Sequence, residues 1–404
     1  MALEEVRVAI GDLRPGMFVC RLDVPWSETR FPLQGVLVET AEDVLALRQH
    51  GSHVWVDRER SVFDGPRHVL LTLGRRGWSG APPEAVDYAL QATVAEEMPR
   101  LRGAIAEADR LLRGLLDDLH RGKPLAVEEV TATVEPVVAS VIRNPDTFSW
   151  LSSLRHRAPY VYGHAINVAG LAVIVGRHLG LPPGELNDLA TAGLLMDLGM
   201  ARLPDGLCNH PLTLSAGDRR AMQGHVALTL EQVSGHGLPV QVLEAITQHH
   251  ERHDGSGYPH GLKGFAISLN ARILGLVDTF DAMGSDRPHQ HSQARHNVLQ
   301  ALYRERDRLF QSELVEQFSQ AIGVYPTGSL VELDNGVVAV VTAQNSARRL
   351  HPRVTALTKP DKSLDPAFPV LDLLLPDPAT GRRLAIHRSL PPGAYGIDLA
   401  QLFL

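Results

Sequence analysis

Short apolar runs set off by turn residues fill the start of the chain: VRVAI before Pro15-Gly16, MFVCRL after it, then GVLVET and HVWVD. Runs of this length between turn signals predict strands. The segment AEDVLALRQHG, between the last two, has helical spacing and stops at Gly51, a helix-terminating residue. Residues 1–63 therefore read as a small β-containing unit with one helix, and the Gly-, Pro- and Arg-rich stretch 64–83 as a linker. From 84 to 147 the period becomes helical, with Leu101, Ile105, Leu111 and Leu115 on one side and Gly122-Lys123-Pro124 breaking the run into a hairpin. Such a pair fits a coupling element between domains or an ordinary packing pair.

Residues 148–322 read as a succession of helices with short connections. Ser215-Ala216-Gly217-Asp218 resembles a capped start for the helix carrying His225. After Gly323 the pattern returns to strand-like runs, and Asp334-Asn335-Gly336 between two of them predicts a hairpin. The expected architecture is mainly α, with a small N-terminal α/β-containing domain and a small β-rich C-terminal extension over 323–404.

Composition narrows the function classes. A chain of 404 residues is too long for one ordinary domain, and 44% hydrophobic with 21% charged residues suits a globular protein rather than a disordered one. The net charge of -7 gives no general attraction for duplex nucleic acid or an anionic membrane. Cys20 and Cys208 are too few for a disulfide framework and too distant for a zinc ribbon. The start MALEEVRVAIGDL lacks the layout of a secretory signal. The apolar stretch Ala165–Gly176 is shorter than the roughly 20 residues that span a bilayer. A cytoplasmic location without a membrane partner is the expectation.

The chemistry lies in where histidines fall relative to acids in the central helices: His164, Met196-Asp197, His225, His249-His250-Glu251, and Asp278 with Asp281. Imidazole and carboxylate are ligands for iron, manganese, zinc and similar ions; any one of them alone is more often a packed or solvated side chain. Two segments strengthen the metal reading. HHERHDGSGYPHGLKG joins adjacent histidines to a loop whose Gly255 and Gly257 permit backbone geometry that side chains forbid. ARILGLVDTFDAMGSDRP puts Asp278 and Asp281 one turn apart, facing one cavity, among Leu274, Leu276, Val277 and Phe280.

YGHAINVA, LLMDLGMARLPD, MQGHVALT, HHERHDGSGYPHGL and VDTFDAMGSDRP together resemble the successive motifs of the HD-GYP family. The segment LRPGMFVCRLDVPWSETRFPLQG resembles the domain of unknown function that often precedes HD-GYP modules. The resemblance implies an all-helical metallohydrolase domain over 148–322 that cleaves cyclic di-GMP. It implies His164, Asp197, His225, His249, His250 and Asp278 as metal ligands, with Asp197 bridging two divalent ions, iron or manganese, and serving catalysis. It implies substrate contacts from Arg287, Gly257, Tyr258, Pro259 and Asp281. Tyr160 stands where some members carry a Glu that recruits a third ion, so at most two are expected.

The departures from the family pattern cluster at the chemistry. Met196 replaces the His of the His-Asp pair, Met200 replaces a Lys, Ala158 an acid and Gln290 a basic residue. A thioether is a poor ligand for such ions, so one metal site is expected to be weak. His289 or His291 are candidates to reach the phosphate in place of Gln290, and Arg202 to supply the positive charge that Met200 lacks. A weakened cyclic di-GMP phosphodiesterase and a silent receptor, binding cyclic di-GMP or a signalling protein through the GYP loop, both remain open. A hydrolase for another nucleotide fits the loop less well, and homodimerisation through the hairpin is an expectation only.

Overall fold

The N-terminal apolar runs form strands, as expected. β1 (Glu5–Ala9), β2 (Phe18–Leu22), β3 (Val36–Leu37) and β4 (His53–Asp57) form an antiparallel sheet in the order β1-β4-β2-β3, with α1 (Ala41–Arg48) preceding β4 in the chain. Val19, Val38, Leu47 and Val54 are fully buried in its core. This computed structural model describes residues 5–10, 13, 17–24, 35–38, 41–57, 86–121, 123, 125–154, 160–204, 207, 215–286, 292–345, 350–377 and 380–403. The 64–83 segment, Ala158, Cys208, Arg287, His289, Gln290 and His291 lie outside the described residues, as does the side chain of Tyr160. The chain divides into two compact units, Met1–Thr72, which holds this sheet, and Leu73–Leu404.

The second unit is mostly helical. α2 (Val94–His120) and α3 (Val127–Arg143) make the expected hairpin. Its buried stripe on α2 runs through Leu101, Ile105, Ala108, Leu112 and Leu115, so Leu112 replaces Leu111, which is half-buried. Steps of four and three residues from Leu101 land on Leu112, one position past the expected one. Arg143 joins the two helices, its Nε donating to the buried Glu97 carboxylate at 2.9 Å. The hairpin packs on the helices that follow it.

Those helices are α4 (Pro145–Leu154), α5 (Tyr160–His178), α6 (Pro183–Leu195), α7 (Ala216–Gln223), α8 (His225–Val233), α9 (Val240–Gln248), α10 (Leu269–Gly284), α11 (Arg295–Arg304) and α12 (Ser312–Ile322). α5 is the axis of the bundle, since Ile166, Val168, Leu171, Val173 and Val175 bury it on nearly every side. Two glycines set its neighbours close: a Cβ on Gly170 would fall 2.0 Å from Phe148 Cζ, and one on Gly193 would fall 3.0 Å from Ala169 Cα. Ser215 caps α7 and forms a capping box with Asp218, but the hydrogen-bond ladder tightens at Gly224 and His225 opens a separate helix, α8.

The C-terminal strands β5 (Leu330–Leu333), β6 (Val338–Ala343), β7 (Arg353–Ala356), β8 (Val370–Asp372) and β9 (Ile386–Leu390) form an antiparallel sheet in the order β8-β7-β6-β5-β9, followed by α13 (Leu399–Phe403). The β5–β6 hairpin turns at Asp334-Asn335-Gly336, where Gly336 takes φ +86° and the Leu333 amide donates to Val337 O at 2.8 Å. Alternation along β5 and β6 sends Leu330, Val338 and Val340 against Trp150 and Leu154 of α4. Val331, Ala339 and Val341 fill the opposite face with Leu373 and Leu384. No helix among the described residues is long and apolar enough to cross a membrane.

Phe148, wholly buried over Gly170, ties α4 to the axis helix. Phe148→Ala should lower unfolding stability by about 3–5 kcal/mol, measured by chemical denaturation, and a loss below about 1 kcal/mol would contradict this packing role.

Candidate metal centre

Five elements bring the histidines and acids together. His164 sits near the start of α5; Asp197 stands two residues past the end of α6 and leads into a 3-10 turn, Leu198–Arg202; His225 opens α8; His249 and His250 directly follow α9; Asp278 lies on α10. The metal-binding types expected from sequence thus meet in one place. Ligand atoms of Asp197, His225, His249 and His250 all lie within 4.8 Å of one another, as do those of His164, Asp197 and Asp278. Asp197 belongs to both groups.

Backbones approach closely to make this meeting possible. A Cβ on Gly199 would lie 2.2 Å from His225 O, and one on Gly275 would lie 2.5 Å from His249 O. Thr229 Oγ1 donates to Met196 O at 3.1 Å and accepts from the Gly199 amide at 2.9 Å, locking α8 to the turn that carries Asp197. Asp197 itself has φ -107° and ψ 9°, the sparsely populated bridge region.

The imidazole orientations decide what the cluster can hold. His225 Nδ1 donates to Met222 O at 2.7 Å and His249 Nδ1 donates to Ile246 O at 2.6 Å. With Nδ1 as the donor in each ring, both Nε2 atoms carry lone pairs. Those lone pairs stand 3.5 Å apart and face Asp197 Oδ1, at 3.3 Å from His225 and 3.7 Å from His249. Burial holds the pKa of His225 below its ordinary value despite the attraction of Asp197. Burial depresses that of His250 further. Acceptors converging on acceptors away from bulk water call for a cation, so the donor set fits a divalent metal ion.

The other side is organised by a second carboxylate. His164 Nδ1 donates to Asp281 Oδ2 at 2.8 Å, leaving Nε2 toward Asp278 Oδ1 at 3.0 Å and Asp197 Oδ2 at 3.7 Å. Burial disfavours charge on His164, but its hydrogen bonds to Asp278 and Asp281 outweigh that and raise its pKa well above 6.5. Burial likewise opposes charge on Asp197, yet His249, His225 and His164 hold its carboxyl below the usual range. Asp281, expected to touch substrate, has its second oxygen bound by Asn167 Nδ2 at 3.1 Å and is buried. Its hydrogen bonds run to protein groups that orient a ligand rather than to an open face.

The glycine-rich loop is pinned by Glu251. Its two carboxylate oxygens accept the amides of His260 at 2.7 Å and Leu262 at 2.9 Å. Gly257 presses on the histidine turn, where a Cβ would lie 2.5 Å from His250 O. Tyr258, joined to Pro259 by a cis peptide, stacks on the His250 ring at 4.7 Å between centroids. Burial, reinforced by Asp278 and Asp197, raises the Tyr258 pKa and keeps its hydroxyl protonated.

Met196 is fully buried, and Arg202, a candidate to supply the charge that Met200 lacks, pairs instead with Glu231 at 3.0 Å on an exposed surface. The sequence pattern singled out Glu251 without a role, and did not single out Asn167 or Thr229. The signal for these two is helical spacing: Asn167 stands three residues after His164 and Thr229 four after His225, on the same faces.

Because Asp278 and Asp281 raise the His164 pKa, its protonated form competes with an ion bound there. Adding manganese to chelator-stripped protein should therefore release protons. Affinity should fall as pH drops below the raised pKa, because a growing protonated fraction competes with the ion. Titration in two buffers of different ionisation enthalpy measures this, and affinity independent of pH would contradict it. Asp281→Asn, which weakens the grip on His164 Nδ1, should lower metal affinity about 10–100-fold.

An HD-domain model matches residues 150–314, and a model of a domain of unknown function (DUF3391) matches residues 5–130, reaching through α2. A cyclic di-GMP phosphodiesterase of Pseudomonas aeruginosa is 31% identical over 360 residues, covering 86% of this chain and 84% of that protein. The cyclic di-GMP phosphodiesterase response regulator RpfG of Xanthomonas campestris pv. campestris is 37% identical over 173 residues, 40% of this chain and 45% of that protein. A 3'3'-cGAMP-specific phosphodiesterase of Vibrio cholerae is 35% identical over 135 residues, 33% of this chain and 29% of that protein. The near full-length match to the Pseudomonas protein, together with the two domain models, shows that this chain belongs to the HD-GYP family.

Proposed function

We propose that this chain is a metal-dependent phosphodiesterase that opens cyclic di-GMP to a linear dinucleotide, with activity reduced by the loss of an imidazole at Met196 and of a motif Lys at Met200. The observation that carries this reading is the convergence of imidazole lone pairs from His225 and His249 on the Asp197 carboxylate, with His164 and Asp278 on its other side. His225, His249 and His250 would hold one ion, His164 and Asp278 a second, and Asp197 both. Divalent ions held at these positions, iron or manganese by donor type, would supply an acidified water and neutralisation of charge on the phosphoryl oxygens. The water oxygen adds to phosphorus as one bond from phosphorus to a ribose oxygen breaks, and the departing oxygen takes up a proton. Gly257, Tyr258, Pro259 and Arg287 are assigned to substrate, and Asp281 to holding His164.

The group formed by His164, Asp197 and Asp278 has three donors against four in the other, so it is read as the weaker site. A cytoplasmic setting, and the division of the chain at 63, 83, 147 and 322, belong to the same proposal. The second reading is a receptor that binds cyclic di-GMP, or a signalling partner through the GYP loop, without turnover. Met196 favours it, being fully buried and apolar at the position beside Asp197, while Arg202 is committed to Glu231.

Iron- or manganese-loaded protein is expected to hydrolyse cyclic di-GMP slowly and Met196→His at least roughly tenfold faster, as restoring a ligand should. Equal rates would remove the claim of a weakened centre, and tight binding without turnover in both proteins would select the receptor. Metal analysis should find at most two ions per chain, one of them readily lost; three tightly held ions would contradict the reading of Tyr160.

A further inference from the structure

We propose that a cavity between the helical bundle and the C-terminal sheet is a binding site for a small organic carboxylate, anchored by Arg295. This proposal is independent of the metal-centre reading. The cavity encloses about 330 Å³, within the range of roughly 300–1,000 Å³ in which small-molecule sites fall. Leu154 of α4, Leu330 of β5, Leu390 of β9 and Ile397, which precedes α13, give it an apolar wall. Arg295, the first residue of α11, lines the same space.

Two polar groups on this wall are short of partners. A guanidinium has five donors, and among the described residues Arg295 makes a single hydrogen bond, a long one of 3.4 Å from Nη2 to Ser152 Oγ. Burial lowers its pKa, and the acid that offsets this, Asp281, is already bound to His164 and Asn167. Ser329 is 5% exposed, and its hydroxyl has no hydrogen-bond partner among the described residues. A buried hydroxyl left unmatched destabilises a fold, and native structures rarely retain one without an occupant; Arg295, half-buried, lines the same space.

The acids that share the wall do not serve Arg295. Asp286 accepts from the Ser292 amide at 2.8 Å, and Asp398 accepts from the amides of Ala400 at 2.9 Å and Gln401 at 3.3 Å. A fork of N–H donors is complementary to a carboxylate, and the leucine and isoleucine wall to a hydrocarbon chain. Among the described residues one cation stands beside two acids, which suits a monoanion with an apolar body better than a phosphate dianion.

Calorimetric titration of the full-length, metal-loaded protein with hexanoate, 1-hexanol and inorganic phosphate tests the assignment. Hexanoate should bind saturably, one per chain, more tightly than either control, and stripping the metals with chelator should leave that binding unchanged. Arg295→Gln should weaken it at least roughly tenfold, as loss of a charged bidentate partner does. Ala400→Phe, which fills the cavity from α13 and leaves Arg295 intact, should abolish it and carries the test should Arg295→Gln fail to fold. Absence of saturable hexanoate binding, equal affinity for 1-hexanol, preference for phosphate, or wild-type binding in Ala400→Phe would each overturn the proposal.

Discussion

The centre of this molecule depends on one unbalanced electrostatic crowd: imidazole lone pairs and carboxylate oxygens meet with no proton placed between several of them. His225 and His249 each commit Nδ1 to a backbone carbonyl, so each must turn an acceptor toward Asp197. Burial prevents water from relieving the repulsion fully and disfavours protonation of His225 and His250. A cation is the occupant that turns this cost into a gain. The hydrogen bonds of His164 to Asp278 and Asp281 serve the same electrostatic need on the other side.

The fold around the centre is arranged to keep those donors in register. α5, buried on nearly all sides, supplies His164. Gly199 and Gly275 let the Asp197 turn and α10 come within contact of α8 and the histidine turn, where any side chain would push them apart. Thr229 bridges Met196 and Gly199, and Glu251 holds the loop that brings Tyr258 over His250. Thus the metal-binding types are loosely spread in sequence and tightly fixed in space.

Much of this was legible in the sequence because it follows from local rules. Short apolar runs between turn residues marked the strands of both sheets, the Asp334-Asn335-Gly336 turn marked their clearest hairpin, and the mixture of histidines and acids in the central helices marked the centre. What escaped were relations that no local period encodes. The α2 stripe slipped from Leu111 to Leu112 because packing, not residue type, chooses between adjacent leucines. Gly224 separated α7 from α8 without a proline or a charge change to announce it. The family resemblance implies a substrate contact for Asp281, whereas only the tertiary structure reveals that it meets His164 Nδ1 from behind. Likewise, nothing local distinguishes Arg295 from any solvated helix-start arginine; the cavity beside it does.

The central claim is that these side chains form a cation site, and anomalous scattering from crystals soaked in manganese tests it most directly. Density peaks are expected between Asp197 and the rings of His225, His249 and His250, with a second, less occupied peak bounded by His164, Asp197 and Asp278. Crystals in which neither position scatters, while the same side chains keep the arrangement described above, would contradict the account.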